Sequence, residues 1–466
     1  MTEMRRSSCS FVSLRAIFSN GLSPSSRLVA LVALLSVTIV RLPLLFGDGA
    51  VARFACLLPF VLCIIWADPT SRHDGHRRPE SRVVALWAFA ILAAIAVYRT
   101  YSSWSLVATI LVTTHFSFRL MTSARNDAER WSRVVAILLA PSAFVTFNIV
   151  IQLVSIPGIN VPAPDLGLSA NSPAEILGLA QISAQRTALP LASGVNGTGI
   201  IGATGLAAAV ILARRSPTPS RWVTIPAGIL SLYATLIADS RSAFVIAIGC
   251  VGLVMLLPRA RGLGGFSGLA LISPAVIAIL AALLSSSGAS FLARSGGDIA
   301  TGESRTYIWG EVITFLRAES VQDKLIGWGA NGQVASGASR QYAYLFPGRN
   351  DATSFSAHNL ELQYLLDGGL VLLLAFVTLV FLSIRATEAL AARDEGAPGL
   401  ALRAVLLVLL FNGFTESLPS YLFLDSFTLF LIACGAALGC LPQPLRVPDP
   451  LTKRSTPGTP VPSSTA

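Results

Sequence analysis

The sequence predicts an all-α fold: a polytopic transmembrane helix bundle of about twelve spans, with a large, partly helical outer loop before the tenth. Three observations carry this. Mean hydropathy is +0.67. Only 12% of the residues are charged and 53% are hydrophobic, whereas a soluble domain carries about 25% charged residues. The apolar residues also gather in windows close to the ~20 residues that cross a bilayer.

In chain order the windows fall at 28–46, 51–66, 83–98, 104–120, 134–154, 198–213, 222–238, 242–257, 268–284, 368–384, 404–418 and 421–441. The first follows Arg5, Arg6, Arg15 and Arg27 and has no small-residue cleavage signature, so it reads as a signal anchor and not a cleaved leader. The second, third and eleventh are short and need tilt or extension.

Basic residues set the orientation. Arg72, Arg77, Arg78 and Arg82 lie between spans two and three, and Arg119, Arg125, Arg130 and Arg133 lie between four and five. The same side takes Arg214, Arg215 and Arg221, then Arg259 and Arg261, then Arg385, Arg393 and Arg403, together with both tails. The opposite short loops hold only Arg41, Arg53, Arg99 and Arg241. Both termini are therefore expected to be cytoplasmic. The net charge of +10 does not point to nucleic acid, because the basic residues punctuate apolar spans and form no single patch.

The organisation that follows is a cytoplasmic tail at 1–27, spans one to nine within 28–284 with an outer loop at 155–197, a large outer loop at 285–367, spans ten to twelve within 368–441, and a Pro/Ser/Thr-rich disordered tail at 442–466. The large loop carries Trp309, Phe315, Trp328, Tyr342, Tyr344, Leu345 and Phe346. That aromatic content fits a folded or membrane-lying segment and not a linker. Ile308, Val312, Phe315 and Leu316 recur at helical spacing and predict a short amphipathic helix over 304–319.

Of the six cysteines, Cys56, Cys63, Cys250, Cys434 and Cys440 fall within spans and Cys9 in the N-terminal tail. No CxxC pair occurs, so neither a disulfide nor a zinc site is indicated, and they read as small core residues. Metal-ligand spacing is also missing from the outer loops, and no cofactor is called for.

Four histidines occur. His73 and His76 lie in a basic loop, and His115 lies mid-span, where an interhelical hydrogen bond is expected. Only His358 is expected on the outer face. It opens a run, His358-Asn359-Leu360-Glu361, that leads into span ten. A titratable imidazole at a membrane surface near arginines suggests chemistry on an anionic, lipid-linked substrate. Arg186, Arg241, Arg294 and Arg305 all fall on that side. Guanidinium forks hold phosphate oxygens bidentately. Arg241 sits in a turn so tight that it lies at membrane depth, where a charge is costly. It could equally pair with Asp239 to stabilise that turn, and Arg294 reads as well as a solvated loop charge.

Four stretches together resemble the O-antigen ligase and polysaccharide polymerase superfamily of bacterial inner membranes. Arg186 to Asn196 with Gly197-Thr198-Gly199 resembles the family's Arg…Asn approach to a membrane helix. Ser240-Arg241-Ser242-Ala243 resembles its Ser-Arg-small turn. Ser304-Arg305-Thr306-Tyr307-Ile308-Trp309, with Gly327-Trp328-Gly329, resembles the start of its periplasmic loop, and His358-Asn359 with Gly368-Gly369 resembles the loop's end. The pattern departs from the family after Gly369-Leu370-Val371, where Leu372 replaces a common glycine; the change bears on helix packing.

The resemblance implies transfer of a glycan from an undecaprenyl-diphosphate carrier to an acceptor sugar hydroxyl, on a glycan or lipid core, by an inverting glycosyltransferase. It implies a multi-pass protein of the cytoplasmic membrane, surrounded by membrane lipid and working beside other polysaccharide-export proteins. Diphosphate is already a good leaving group, so no metal is required. His358 would be the general base, with Arg241, Arg305 and Arg186 on the diphosphate. Asn359, Glu361 and Asn196 would support them, Glu361 being an alternative base. A repeat-unit polymerase shares the donor chemistry, and the compact loop end favours the ligase over it. A transporter or flippase of lipid-linked glycans would show repeated halves and midplane polar sites, which the sequence lacks.

Overall fold

The computed structural model describes residues 31–32, 35–36, 81–124, 127–154, 187–215, 218–258, 266, 305–346, 355–392, 397–417, 420 and 424–440. Among these, every regular element is a helix. In chain order they are α1 (Ser81–Tyr101), α2 (Trp104–Thr122), α3 (Asp127–Val154), α4 (Gly194–Arg215), α5 (Thr218–Ile237), α6 (Arg241–Leu256), α7 (Arg305–Ala318), α8 (Val321–Ile326), α9 (Gly332–Ala335), α10 (Ala338–Gln341), α11 (Leu360–Ala391), α12 (Ala397–Asn412) and α13 (Leu424–Gly439).

Nine of the expected spans fall on α1–α6 and α11–α13. Spans 28–46 and 51–66, apart from Leu31, Val32, Leu35 and Ser36, lie outside the described residues. So do span 268–284, the tails, Cys9, Cys56, Cys63, Arg186 and Arg294. Among the described residues, four helices are long and apolar enough to cross a membrane: Val83–Tyr101, Ala128–Val154, Gly194–Arg214 and Leu360–Ala391. Shorter apolar helices at Arg221–Ile237, Arg241–Leu256, Ala397–Asn412 and Asp425–Gly439 accompany them. The chain is an integral membrane protein by this composition. Cys250, Cys434 and Cys440 are buried, and no disulfide joins them among the described residues.

Short connections make successive helices antiparallel. The C-termini of α1, α5 and α12 therefore share one end of the bundle with the N-termini of α2, α4, α6, α11 and α13. Helices α7–α10 cap that end. Arg99, near the end of α1, donates through Nη1 to the carbonyls of Ile326 (3.0 Å) and Gly327 (3.1 Å). Thr100 donates to the Ala330 carbonyl (2.7 Å), and the Ala330 N–H donates back to Ala96 (2.8 Å).

Two cores form. In the bundle, Phe89 of α1 packs against Tyr364 and Phe376 of α11 and Phe427 and Phe430 of α13, with ring centroids within 6.1 Å. Gly202 and Gly205 let α5 approach α4 closely, and Gly199 admits Ser240 of the turn that follows α5. A Cβ at Gly202 would meet the Ser231 carbonyl at 2.8 Å, and one at Gly205 would strike the Ser231 hydroxyl. Small-residue rows of this kind allow membrane helices to pack backbone to backbone. In the cap, Ile308, Val312, Ala338, Tyr342, Ala357 and Leu366 form a second cluster, with Phe315 and Leu316 packed on it. The helix predicted over 304–319 is thus α7, with its apolar face inward. Burial pushes the Tyr342 hydroxyl pKa up, and the hydroxyl donates to the Phe355 carbonyl at 2.8 Å.

Cap and bundle meet at a break in α11. Gly369 has φ 67° and ψ −166°, so the helix kinks there and carbonyls just before the break lose their helical partners. The Gly327-Trp328-Gly329 stretch takes them up: the Trp328 N–H donates to Leu366 (2.9 Å) and the Gly329 N–H to Asp367 (2.7 Å). The buried Asp367 carboxylate also accepts from the Gly332 N–H (2.6 Å) and from Gln363 Nε2 (2.9 Å). The span expected from 368 therefore begins a turn or more earlier, at Leu360. Leu372, at the departure from the family pattern, is fully buried in the bundle core.

Two expectations need correction. The eleventh span, expected at 404–418, is the helix Ala397–Asn412, and 413–417 form a turn at the cap-bearing end. Arg403, counted with the basic loops, lies inside α12, fully buried, with its guanidinium 4.5 Å from the centre of the Phe266 ring.

Candidate active site

His358 stands where the cap returns to the bundle. Its φ is +48°, a left-handed conformation uncommon outside glycine that, when it persists, marks sites held by their surroundings. Three contacts hold it. The Trp309 indole N–H of α7 donates to the His358 carbonyl at 3.3 Å. Asn359 caps α11, its side chain accepting from the Leu362 N–H at 2.9 Å. The Leu360 N–H donates to the Gly413 carbonyl at 2.7 Å. The histidine is thereby pinned between α7, α11 and the turn after α12.

That turn delivers Glu416. Asn412 ends α12, and Gly413 opens a tight reversal in which the N–H groups of Thr415 and Glu416 both donate to the Asn412 carbonyl (3.2 and 3.0 Å). Glu416 Oε2 lies 3.2 Å from His358 Nδ1, and Oε1 accepts from Arg305 Nη2 at 2.6 Å. One carboxylate thus bridges the imidazole and the guanidinium, which come from opposite ends of the cap segment. Glu416 is 6% exposed, whereas His358 and Arg305 are each 21% exposed. A molecule arriving from solvent meets the imidazole and the guanidinium, with the carboxylate behind them.

A carboxylate can only accept hydrogen bonds, so the Nδ1 facing it carries a proton, and in the neutral imidazole Nε2 then keeps its lone pair. This tautomer can take a proton from a substrate hydroxyl. The guanidinium has five donors, and its pairing with Glu416 leaves others for an anion.

The remaining candidates fall in different places. Arg241 begins α6 in the turn expected for it. It is 5% exposed, with Nε 3.8 Å from Oδ1 of the buried Asp239. Asp239 is itself left-handed, at φ +46°. Thr187, the first described residue after Arg186, donates to the Ile237 carbonyl (2.8 Å) at that same turn. Asn196 lies in the first turn of α4, where the preceding Ser193 N–H donates to Asp425 Oδ2 at 2.7 Å. The structure brings His358 and Arg305 together through Glu416; Arg241 and Asn196 occupy neighbouring turns at the same end. Asn359 is engaged as a helix cap. Glu361 is in the first turn of α11, and its Oε2 has no hydrogen-bond partner among the described residues. His115 is exposed on α2, its ring 6.1 Å from that of Trp87, an interhelical ring contact in place of the expected hydrogen bond. Among the described residues, no group of three or more His, Cys, Asp or Glu could hold a metal ion.

Glu416 and Asp425 are absent from the expectations. The signal for Glu416 was the Asn412-Gly413 pair, a turn dipeptide placed inside the apolar window at 404–418.

Residues 226–377 match the family model described as O-antigen ligase. The match contains Arg241, Arg305, His358, Asn359 and Glu361, and it ends before Glu416. No curated protein matches the chain. Over that region, about a third of its length, the chain is similar to the O-antigen ligase family.

Proposed function

We propose that this protein transfers a glycan from an undecaprenyl-diphosphate carrier to a sugar hydroxyl of an acceptor, at the outer face of the bacterial cytoplasmic membrane, in the manner of an O-antigen ligase. The observation that supports it most is the bridge from His358 through Glu416 to Arg305. It sets a base with a free Nε2 beside a cation, which is what attack on a glycosyl diphosphate needs.

In this reading the acceptor hydroxyl gives its proton to His358 Nε2 as its oxygen bonds the anomeric carbon. The bond from that carbon to the diphosphate oxygen breaks, and the diphosphate leaves with the electron pair. Arg305, with Arg241 from the neighbouring turn and, as the sequence suggests, Arg186, offsets the growing negative charge. A single in-line displacement inverts the anomeric centre. Glu416 holds the imidazole tautomer and stabilises the imidazolium as it forms. No step calls for a metal, because the leaving group is already good. The cap would lie on the outer side, with both termini in the cytoplasm.

The experiment is a glycan profile of a deletion strain complemented with wild type or with His358→Ala, sizing both the carrier-linked pool and the finished surface polymer. Long chains that accumulate on the carrier and are missing from the acceptor support the ligase. Single repeat units on the carrier, with long chains gone, replace it with a polymerase. Unchanged pools in the deletion strain remove glycosyl transfer and favour a transporter.

A further inference from the structure

The short cap helix α8 is built inside out for a protein surrounded by water. Its outward arc carries Val321 (73% exposed), Leu325 (42%) and Ile326 (44%), with Gln322 between them. Its charged residues turn back toward the chain. Lys324 Nζ donates to the Arg317 carbonyl at 2.9 Å, and Asp323 Oδ2 accepts from the Ser320 hydroxyl at 2.7 Å. A soluble cap would place these residues the other way round.

The apolar arc is not isolated. A Cβ on Gly369 would strike the backbone of Leu325, so α8 abuts the α11 kink. Just beyond it, α11 exposes Leu370, Val371 and Leu374. On the other side, Arg99 holds the Ile326 carbonyl, and below Arg99 the α1 stripe exposes Ile91, Ile95 and Tyr98. Tyr98 is paired with the exposed Trp104, their ring centroids 4.6 Å apart, the aromatic chemistry found at bilayer interfaces. The exposed surface of α8 thus continues two stripes on spanning helices at the level of an aromatic belt.

We propose that α8 is seated in the bilayer, with Val321, Leu325 and Ile326 among the acyl chains of the leaflet on the cap side. A helix lying in the interface buries its apolar face just below the headgroups. This seat fixes the depth of the whole cap, because α8 is tied to α1 through Arg99 and to α11 at Gly369. The Trp309 and Arg305 side of the cap then stands at headgroup level.

The test uses the full-length protein in lipid nanodiscs. Val321→Cys and Leu325→Cys are compared with Arg340→Cys, an exposed cap position, and with the unsubstituted chain as the blank for its own cysteines. One sample of each is reacted with a water-soluble maleimide in nanodiscs; a second, unreacted sample is labelled with a bimane in detergent and returned to nanodiscs containing brominated lipid. The expected result is that positions 321 and 325 react at least tenfold more slowly than 340 in the bilayer, and that their bimane fluorescence is quenched by brominated lipid while that at 340 is not. Equal reaction rates at all three positions overturn the proposal. So does protection at 321 and 325 without quenching, which would mean that protein covers the patch. A variant that misfolds in detergent is replaced by Ile326→Cys, for which the same two outcomes hold.

Discussion

The His358 imidazole meets the Glu416 carboxylate through Nδ1, 3.2 Å from Oε2, across 58 residues of sequence and from two separate connections of the bundle. The carboxylate's other oxygen holds Arg305 at 2.6 Å. Both long side chains are therefore fixed from behind by one buried group. On the proposed mechanism, such an arrangement sets imidazole and guanidinium in place before substrate arrives, and pre-set electrostatics of this kind carry much of the barrier reduction in transfer chemistry.

The first prediction is that His358 and Glu416 act as a unit. His358→Ala should lower the transfer rate on the order of 10²–10⁴-fold, the range for loss of a general base. Glu416→Gln should lower it by about 10²-fold, because the amide can present its NH₂ to the imidazole and favour the wrong tautomer. The double variant should be no slower than His358→Ala alone, since residues that share one task lose it once. The check is a transfer assay with purified protein and lipid-linked glycan. Multiplicative losses in the double variant would separate the two residues and end the bridge as a functional element.

Arg305 should tolerate lysine poorly. Lysine can keep an ion pair with Glu416 as a point charge, but it loses the planar fork that serves a carboxylate and a phosphate at once. Arg305→Lys should therefore retain thermal stability close to wild type while losing at least about tenfold in kcat/KM for the lipid-linked donor, a difference of about 1.4 kcal/mol at the transition state. If Arg305→Lys matches wild type in donor kinetics, the residue serves Glu416 alone.

Asn359 has two conceivable duties, and the structure shows one of them: its side chain accepts from the Leu362 N–H as the cap of α11. Loss of such a cap costs about 1 kcal/mol. Asn359→Ala should lower the melting temperature and the activity modestly, whereas Asn359→Ser and Asn359→Asp, which also cap, should restore both. Restored stability with activity still missing would instead make the amide a sugar contact.

The legibility of this molecule follows where its signals are local. Apolar windows found the helices at α1–α6 and α11–α13, because burial in lipid forces every backbone group into a helix. The spacing of Ile308, Val312, Phe315 and Leu316 gave α7 and its inward face. His358, Arg305 and Arg241 stood out as polar residues in an apolar chain. Glu416 did not, because its meaning is tertiary. It acts only once the turn after α12 lies against His358, and an unbroken hydropathy window absorbed it into a span. Asp425 was hidden in the same way, as an acid in the first turn of an apolar helix whose partner, the Ser193 N–H, is 232 residues away.

Gly369 offers a test of how the cap is held. At φ +67° and ψ −166°, a region essentially confined to glycine, an L-residue costs about 1–3 kcal/mol, and a Cβ there would strike the Leu325 backbone as well. Gly369→Ala should therefore push α8 off the kink. The N–H bonds from Trp328 and Gly329 to the Leu366 and Asp367 carbonyls should weaken with it. The outcome to look for is a melting temperature lowered by several degrees in detergent, with protease cleavage within 319–346 accelerated ahead of any cleavage in the bundle. Activity should fall with the same variant even though Gly369 touches no reacting group, because Arg305 and Trp309 are carried by the cap that moves. An unchanged melting temperature and cleavage pattern would mean that the kink is a feature of α11 alone and that the cap is held by Arg99 and Thr100 of α1, in which case Arg99→Ala should produce the loosening that Gly369→Ala did not.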